Sequence, residues 1–285
     1  MAEILDGKAL SKKVREQLKL EVESLHVKPR LDVLMASEDP ASVAYVNMKR
    51  KWGAEVGVCG EIYPIDSNTS QDKLIDLVHS VNRNPDVHGV LIQHPLPAHL
   101  DENAALEELG HEKDVDGITP QSLGRLTAGL RGFRCATPLG MMRLLDEYGI
   151  DCKGKRAVVI GRSVILGKPA ALMLLERDAT VTIAHSKTRD LPELCRQADI
   201  LVAAVGRPEM VKGDWVKPGA VVLDAGYNKV EGRKADVGDV EFESAAEVAS
   251  YITPVPGGVG PMTVAMLLSN VVDSARNAAK NLIAN

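Results

Sequence analysis

The chain has 285 residues, 45% of them hydrophobic and 26% charged, with a formal net charge of -5 at pH 7. At roughly 150 residues per domain this is a two-domain length, and the balance excludes a disordered, collagen-like or disulfide-dense chain. An acidic surplus with only 3% aromatic residues offers neither the basic footprint nor the stacking platform of a nucleic-acid binder, so no nucleic-acid partner is expected. No apolar run approaches the roughly 20 residues that span a bilayer, and the opening MAEILDGKAL lacks the basic, apolar and small-residue order of a signal peptide. The expectation is a cytoplasmic protein without a membrane partner. Cys59, Cys135, Cys152 and Cys195 stand far apart with no CxxC pair, so neither a disulfide framework nor a metal site is expected.

Leu10, Val14, Leu18, Val22 and Leu25 recur at three- and four-residue steps and predict an opening helix. Residues 31–36 read as a short buried strand, and a helix follows Asp39-Pro40. Residues 56–65 are strand-like, 70–82 helical, 87–92 a continuous apolar strand and 101–109 a short helix. This alternation favours a parallel sheet covered on both faces. Between Gly124 and Gly140 the periodicity lapses, which suits a domain junction. Thr137 as N-cap and Pro138 at the first helical position restart a helix, and Gly149 fits its end. The second half predicts strands at 156–160, 180–184, 200–205 and 220–224, with helices near 168–177 and 191–198. A final helical pattern over 263–283 is long enough to leave this domain and pack elsewhere.

RAVVIGRSVILGKPAALMLL reads as a strand, a turn bounded by Gly161 and Gly167, and a helix opened by Pro169. A helix N-terminus presents unpaired N–H groups and partial positive charge to a pyrophosphate, and glycine lets the backbone approach it. The spacing is not G-x-G-x-x-G, because Ser163 takes the middle position, and not a Walker loop, because Pro169 follows Lys168. A plain strand-to-helix turn is the alternative. The next strand ends at His185-Ser186-Lys187-Thr188, with no acid for a ribose 2'-hydroxyl. Its hydroxyls and cations, with Arg162 as a bidentate fork, suit a 2'-phosphate and point to NADP over NAD.

Ser42, Tyr45 and Lys49 fall at i, i+3 and i+7, on one side of a helix. Tyr45 can stack on a flat ligand and Lys49 can supply a proton or a charge; a solvated lysine beside Arg50 and Lys51 is the alternative. GVLIQHPLP delivers Gln93 at the C-terminal end of a strand, where open α/β sheets place ligands. HEKDVDGIT puts Asp114 and Asp116 before Gly117, either to receive the N–H groups of a heterocycle or simply as a solvated turn. ITPVPGGVGPMT is dense in glycine and proline just before the last helix, as a close-approach loop or a hinge would be.

Taken together, these segments resemble the bifunctional methylenetetrahydrofolate dehydrogenase/methenyltetrahydrofolate cyclohydrolase family over nearly the whole chain. The likeness rests on S-x-x-Y-x-x-x-K at 42–49, VLIQHPLP at 90–97, KDVDG at 113–117, ATPLG at 136–140, GRSVILGKP at 161–169, HSKT at 185–188, DAGYN at 224–228 and PVPGGVGPMT at 254–263. The resemblance implies an α/β fold with an N-terminal α/β folate domain over 1–137 plus 263–285. It further implies a Rossmann-like NADP domain over 138–262, and a C-terminal helix returning to the first domain. It implies tetrahydrofolate derivatives bound in the cleft between domains, a homodimer and no metal. Tyr45, Lys49, Gln93 and Asp116 are the catalytic positions it implies, with Ser42, Pro256, Gly257, Gly258, Gly260 and Pro261 also against the folate. Gly161, Arg162, Ser163, Ile165, Gly167, His185, Ser186 and Thr188 are implied for NADP.

Two positions depart from the family pattern: His94 stands where QLPLP has leucine, and Cys135-Ala136-Thr137-Pro138 stands where Pro-Cys-Thr-Pro is usual. The implied oxidation leaves a methenyl cation without loss of a proton and needs orientation rather than a base. The implied hydrolysis must move protons, and Lys49, neutralised by burial and by the substrate cation, is the expected acceptor. A dehydrogenase that stops at methenyltetrahydrofolate, a shikimate-type dehydrogenase and a non-catalytic nucleotide sensor are the competing readings.

Overall fold

A computed structural model describes residues 1–36, 40–233 and 235–283; the side chains of residues 40–42, 44, 45 and 281–283 lie outside the described set. In chain order the elements are β1 (Glu3–Ile4), α1 (Gly7–Ser24), β2 (Leu31–Ala36), α2 (Pro40–Val56), β3 (Ile62–Ile65), α3 (Gln71–Arg83) and β4 (Gly89–Gln93). They continue with α4 (Glu102–Glu108), α5 (Pro120–Thr127), α6 (Ala136–Glu147), β5 (Arg156–Ile160), α7 (Gly167–Leu175), β6 (Thr180–Ala184), α8 (Leu191–Cys195) and β7 (Ile200–Ala203). β8 (Val221–Asp224), α9 (Phe242–Val248), β9 (Tyr251–Ile252) and α10 (Val259–Ile283) complete the order.

The chain divides into two compact units, one of residues 13–136 with 264–285, the other of residues 1–12 with 137–263. In the first, parallel strands lie in the order β3-β2-β4. β2 is buried along its whole length, as expected for the middle strand of a covered parallel sheet. Leu34, Ile65, Leu74, Val78, Val90, Ile92 and Leu106 form its core. Local signals set the helix starts. Ser70 Oγ accepts from Lys73 N at α3, Asp101 Oδ1 from Ala104 N at α4, and Thr119 Oγ1 from Ser122 N at α5, where Pro120 takes the first helical position. The C-terminal helix belongs to this unit from Val264 onward: buried Asn270 donates Nδ2–H bonds to Val115 O at 2.7 Å and Arg134 O at 3.1 Å.

In the second unit a parallel sheet runs β1-β9-β8-β7-β5-β6. β5 connects to β6 on one side and has β7 on the other, so the order reverses at the end of β5, where doubly wound sheets form their ligand crevice. Val158, Ile160, Leu201, Ala203, Val222 and Ile252 anchor its core.

Differences from the sequence expectations have local causes. The strand expected from Val56 begins only at Ile62, because α2 runs on to Val56 and ends at Gly57 with φ +96. α5 lies partly inside the segment expected to be irregular; Thr119-Pro120 was its start signal and Gly124 obscured it. α6 begins at Ala136, so Thr137 is inside the helix rather than capping it, and its Oγ1 accepts from Thr263 Oγ1 at 3.1 Å. β1 and β9 are two-residue strands that pair with each other, too short to carry a period. That pairing joins the opening residues to the second unit.

Candidate functional site

In the first unit α2 follows β2 in the chain, and β4 lies beside β2 with Met35 opposite Gln93. Lys49, on α2, is 6% exposed, and its Nζ donates to Gln93 Oε1 at 2.9 Å. Gln93 Nε2 in turn donates to His94 O at 2.9 Å, so both ends of the amide are fixed. Burial lowers the Lys49 pKa, and the nearby Asp116 carboxylate opposes that shift. Burial raises Asp116, with Lys49 opposing it and Asp114 adding to it. Each group is thus moved toward its neutral form by loss of water and back toward its charged form by the other.

The KDVDG turn sorts its two aspartates. Asp114 is fully buried and accepts from Ile118 N at 3.2 Å and Thr119 N at 2.8 Å, so its carboxylate holds the turn. Asp116, half-buried, has neither of these backbone bonds, and the charge of Lys49 opposes its upward shift. Gly117, at φ +68, packs so close to the Arg134–Cys135 backbone that a Cβ would sit 2.5 Å from Cys135 N. Cys135 is buried there, and burial with Asp116 and Asp114 keeps its thiol protonated well above the ordinary range. This departure from the family pattern therefore sits as an inert packed thiol. Ser42 and Tyr45 lie on α2, but their side chains are outside the described residues.

A cavity of about 430 Å³ also borders Lys49, and Val33, Val46, Leu268, Lys28 and Arg50 are among the residues that line it. Gln93 and Asp116 do not line it.

In the second unit the glycine turn follows β5. Gly161 has φ +129 and donates to Ala184 O at 2.9 Å, which ties the ends of β5 and β6 together. Gly167 leaves no room for a side chain, since a Cβ would lie 2.8 Å from Arg162 N. The expectation of unpaired N–H groups at the start of α7 is corrected. Ser163 Oγ accepts from Gly167 N at 3.3 Å, Ser163 O accepts from Lys168 N at 3.0 Å, and Pro169 has no N–H. Ser163 is thereby engaged in closing the helix end.

Beyond β6, Thr188 Oγ1 accepts from His185 N at 2.8 Å, and His185 Nδ1 accepts from Lys187 N at 3.1 Å. His185 and Thr188 thus build the turn, and Ser186 and Lys187 are exposed on it. Arg162, Val164 and Ile165 are also exposed on the neighbouring turn. With no carboxylate between His185 and Thr188, these cations and the hydroxyl fit a dinucleotide that carries a 2'-phosphate.

The loop before α10 is also shaped by close packing. Gly257, at φ +112, accepts at its carbonyl from Lys8 N at 2.8 Å. Gly258 donates to Pro254 O at 2.8 Å, and a Cβ there would stand 2.7 Å from Thr253 Cβ. Pro256 is exposed in this loop, whereas α10 begins at Val259, four residues before the expected 263, so Gly260 and the half-buried Pro261 lie in its first turn, where a Cβ at Gly260 would meet open space.

Asp224, in the DAGYN segment, is a structural centre that the sequence did not single out. Its carboxylate accepts from Gly226 N, Asp239 N and Val240 N at 2.8, 3.0 and 2.9 Å. Burial nonetheless pushes its pKa up to about 6. Asp239, buried beside it, accepts from Val205 N, Gly206 N and Arg207 N at 2.6 to 2.9 Å and so fixes the turn after β7. Nothing in the spacing of these aspartates announces the pair.

Residues 5–116 match the family described as tetrahydrofolate dehydrogenase/cyclohydrolase, catalytic domain, and residues 135–279 match its NAD(P)-binding domain. The chain is 54% identical over 278 residues to the bifunctional protein FolD of Moorella thermoacetica, covering 96% of this chain and 99% of that one. The crystal structure of bifunctional FolD from Campylobacter jejuni superposes with a TM-score of 0.94 at 46% identity, covering 97% and 99% of the two chains. FolD from Trypanosoma brucei, solved with NADP cofactor and inhibitor, gives 0.90 at 37% identity over 97% and 98%. The chain belongs to the tetrahydrofolate dehydrogenase/cyclohydrolase family.

Proposed function

We propose that this protein oxidises 5,10-methylenetetrahydrofolate to 5,10-methenyltetrahydrofolate with NADP and hydrolyses the product to 10-formyltetrahydrofolate, in one-carbon metabolism. The observation that carries this reading, within the family, is a buried lysine whose amine is held by Gln93 and faced by Asp116. NADP, when bound, supplies the hydride acceptor. Arg162 and Ser186 are the side chains proposed to hold its 2'-phosphate, and the backbone from Gly161 to Gly167, with Ile165, to run along the dinucleotide. His185 and Thr188 contribute by shaping the turn that carries Ser186.

The oxidation loses no proton, so the chain has only to orient the substrate. The hydrolysis is different: as water bonds to the methenyl carbon, one of its O–H bonds breaks. The neutral amine of Lys49 takes that proton, and burial is what makes the neutral form accessible. Gln93 keeps the amine in line through its bond to Nζ. Asp116 is proposed to accept N–H bonds from the pterin, Tyr45 and Ser42 to lie against its ring system, and the segment from Pro256 to Pro261, the end of the loop and the first turn of α10, to lie along the folate.

The unit of residues 13–136 with 264–285 is proposed as the folate-handling domain and the unit of residues 137–263, which residues 1–12 join instead of the folate domain expected for them, as the nucleotide domain, in a cytoplasmic homodimer. The test is to supply the purified protein with methylenetetrahydrofolate and follow both the appearance of NADPH and the decay of methenyltetrahydrofolate. Both activities are expected, with NADP used faster than NAD. NADPH formation without enzymatic decay of the methenyl product would replace this reading by a dehydrogenase alone.

A further inference from the structure

Hydrolysis of a methenyl cation sheds more protons than one amine disposes of. Two protons leave the attacking water oxygen, the first as the C–O bond forms and the second as the hydroxyl becomes a carbonyl. Only one is needed by the ring nitrogen whose bond to the carbon breaks and whose electron pair it keeps. If Lys49 takes the first proton and returns it to that nitrogen, the second must go to another acceptor or directly to water.

His94 follows Gln93 at the end of β4, and its carbonyl holds the Gln93 amide that in turn holds Lys49. Its Nδ1 is bonded to Glu102 Oε1 at the start of α4. Glu102 is itself held, since Oε2 accepts from Leu96 N at 3.0 Å. The other imidazole nitrogen, Nε2, is buried and has no hydrogen-bond partner among the described residues. A buried polar atom left without a partner costs about 1–3 kcal/mol, and a role in the chemistry is one reason for a fold to keep such an atom. The side chains of His94 and Glu102 remain 21% and 30% exposed, so the pair reaches from a buried nitrogen to solvent.

We propose that His94, backed by Glu102, is a second proton acceptor for the hydrolytic step, receiving at Nε2 the proton that leaves as the carbonyl forms. The proposal rests on the reading of Lys49 given above. A carboxylate on Nδ1 fixes the tautomer with Nε2 as a lone-pair acceptor and stabilises the imidazolium that forms. The geometric link to the first base is the Gln93 amide, which bonds His94 O at one end and Lys49 Nζ at the other, and both Lys49 and His94 oppose the upward shift of Asp116. The bond from His94 also holds the Glu102 carboxyl below the ordinary range, so an anion is in place to receive the positive ring. Once the product has left, the Nε2 proton is lost to water entering the emptied site, which restores the Nδ1–H tautomer that Glu102 holds.

Single-turnover decay of methenyltetrahydrofolate, measured beside NADP reduction in the same preparations, tests this. His94→Asn keeps an amide N–H where Nδ1 donates to Glu102 but removes the basic nitrogen. The expectation is a loss of about a hundredfold in hydrolysis, the low end of the general-base range of about 10²–10⁴. Oxidation falls much less, and added imidazole restores hydrolysis in His94→Ala in a saturable way. A merely structural histidine would slow both reactions together and give no imidazole rescue, which overturns the proposal. Wild-type hydrolysis in a folded His94→Asn protein overturns it as well. Lys49→Met run in parallel separates the two levels: if that variant also hydrolyses normally, the underlying reading of Lys49 has failed and not only the role of His94.

Discussion

Replacing Gln93 by leucine removes the acceptor that Lys49 Nζ meets at 2.9 Å. A hydrogen bond from a charged donor contributes about 1.5–3 kcal/mol, and one between neutral groups about 1 kcal/mol. The amide therefore favours the ammonium over the amine by about 1 kcal/mol, roughly a factor of five in the ionisation constant. Without it Lys49 gives up its proton more readily, and burial, already the dominant influence, is less opposed. If the neutral amine is the base, hydrolysis in Gln93→Leu should reach half its plateau at lower pH than in the wild type. The plateau itself should fall, because the amine is no longer held in line. Gln93→Glu works in the opposite sense: a carboxylate beside Nζ favours the ammonium, and the rising limb moves to higher pH. The assay is the decay of methenyltetrahydrofolate absorbance across a pH series, corrected for spontaneous hydrolysis in each buffer. Three superimposable rising limbs would refute the reasoning, since Lys49 would then not be the titrating group.

Other consequences concern the nucleotide turn and the scaffold. Arg162→Ala should raise KM for NADP by about tenfold or more, the effect of losing a charge-assisted contact of about 1.5–3 kcal/mol, with little change for NAD; equal losses with both dinucleotides would remove Arg162 from the 2'-phosphate. Asn270→Leu leaves the carbonyls of Val115 and Arg134 without the donors they have at 2.7 and 3.1 Å. It should lower stability by about 2–4 kcal/mol in denaturant unfolding, and an unchanged midpoint would contradict the view that this side chain ties the last helix to the KDVDG turn. Asp224 binds its proton more tightly folded than unfolded, so its contribution to stability is complete below the ordinary carboxylate range and is lost as pH rises through about 6. The loss is on the order of 3 kcal/mol for a pKa that moves from 3.8 to about 6. Wild type should therefore gain stability relative to Asp224→Asn on going from neutral pH to pH 5, and a constant difference between the two would count against the shift.

The strands were the most legible part of the fold. Residues 31–36 and 156–160 are bounded where the sequence says, because a covered parallel strand reads as a short run of apolar residues; 180–184, an edge strand exposed along most of its length, was legible from its β-branched residues instead. Elements whose stability comes from a distant partner were not legible, as with β1, which is two residues long and is defined by β9. The same division holds at the site. The helical spacing put Lys49 on the side of α2 shared with Ser42 and Tyr45, and the end of β4 delivered Gln93, but the bond between Lys49 and Gln93 joins residues 44 apart, a pairing no local pattern contains. Asp114 and Asp116 looked alike until the Ile118 and Thr119 N–H groups were seen to engage the first. Ser163, exposed on its turn, also accepts from Gly167 N at the start of α7, a bond four residues long that the glycine spacing did not announce. Glu102 was invisible as a partner of His94, since an acid in the first turn of a helix is ordinary in its own right.

The account depends most on a buried amine that accepts a proton from water, and Lys49→Met tests it most directly. With the folded variant, methenyltetrahydrofolate should decay no faster than in buffer while NADPH formation from methylenetetrahydrofolate continues at a measurable fraction of the wild-type rate. Hydrolysis at the wild-type rate in that protein would contradict the account.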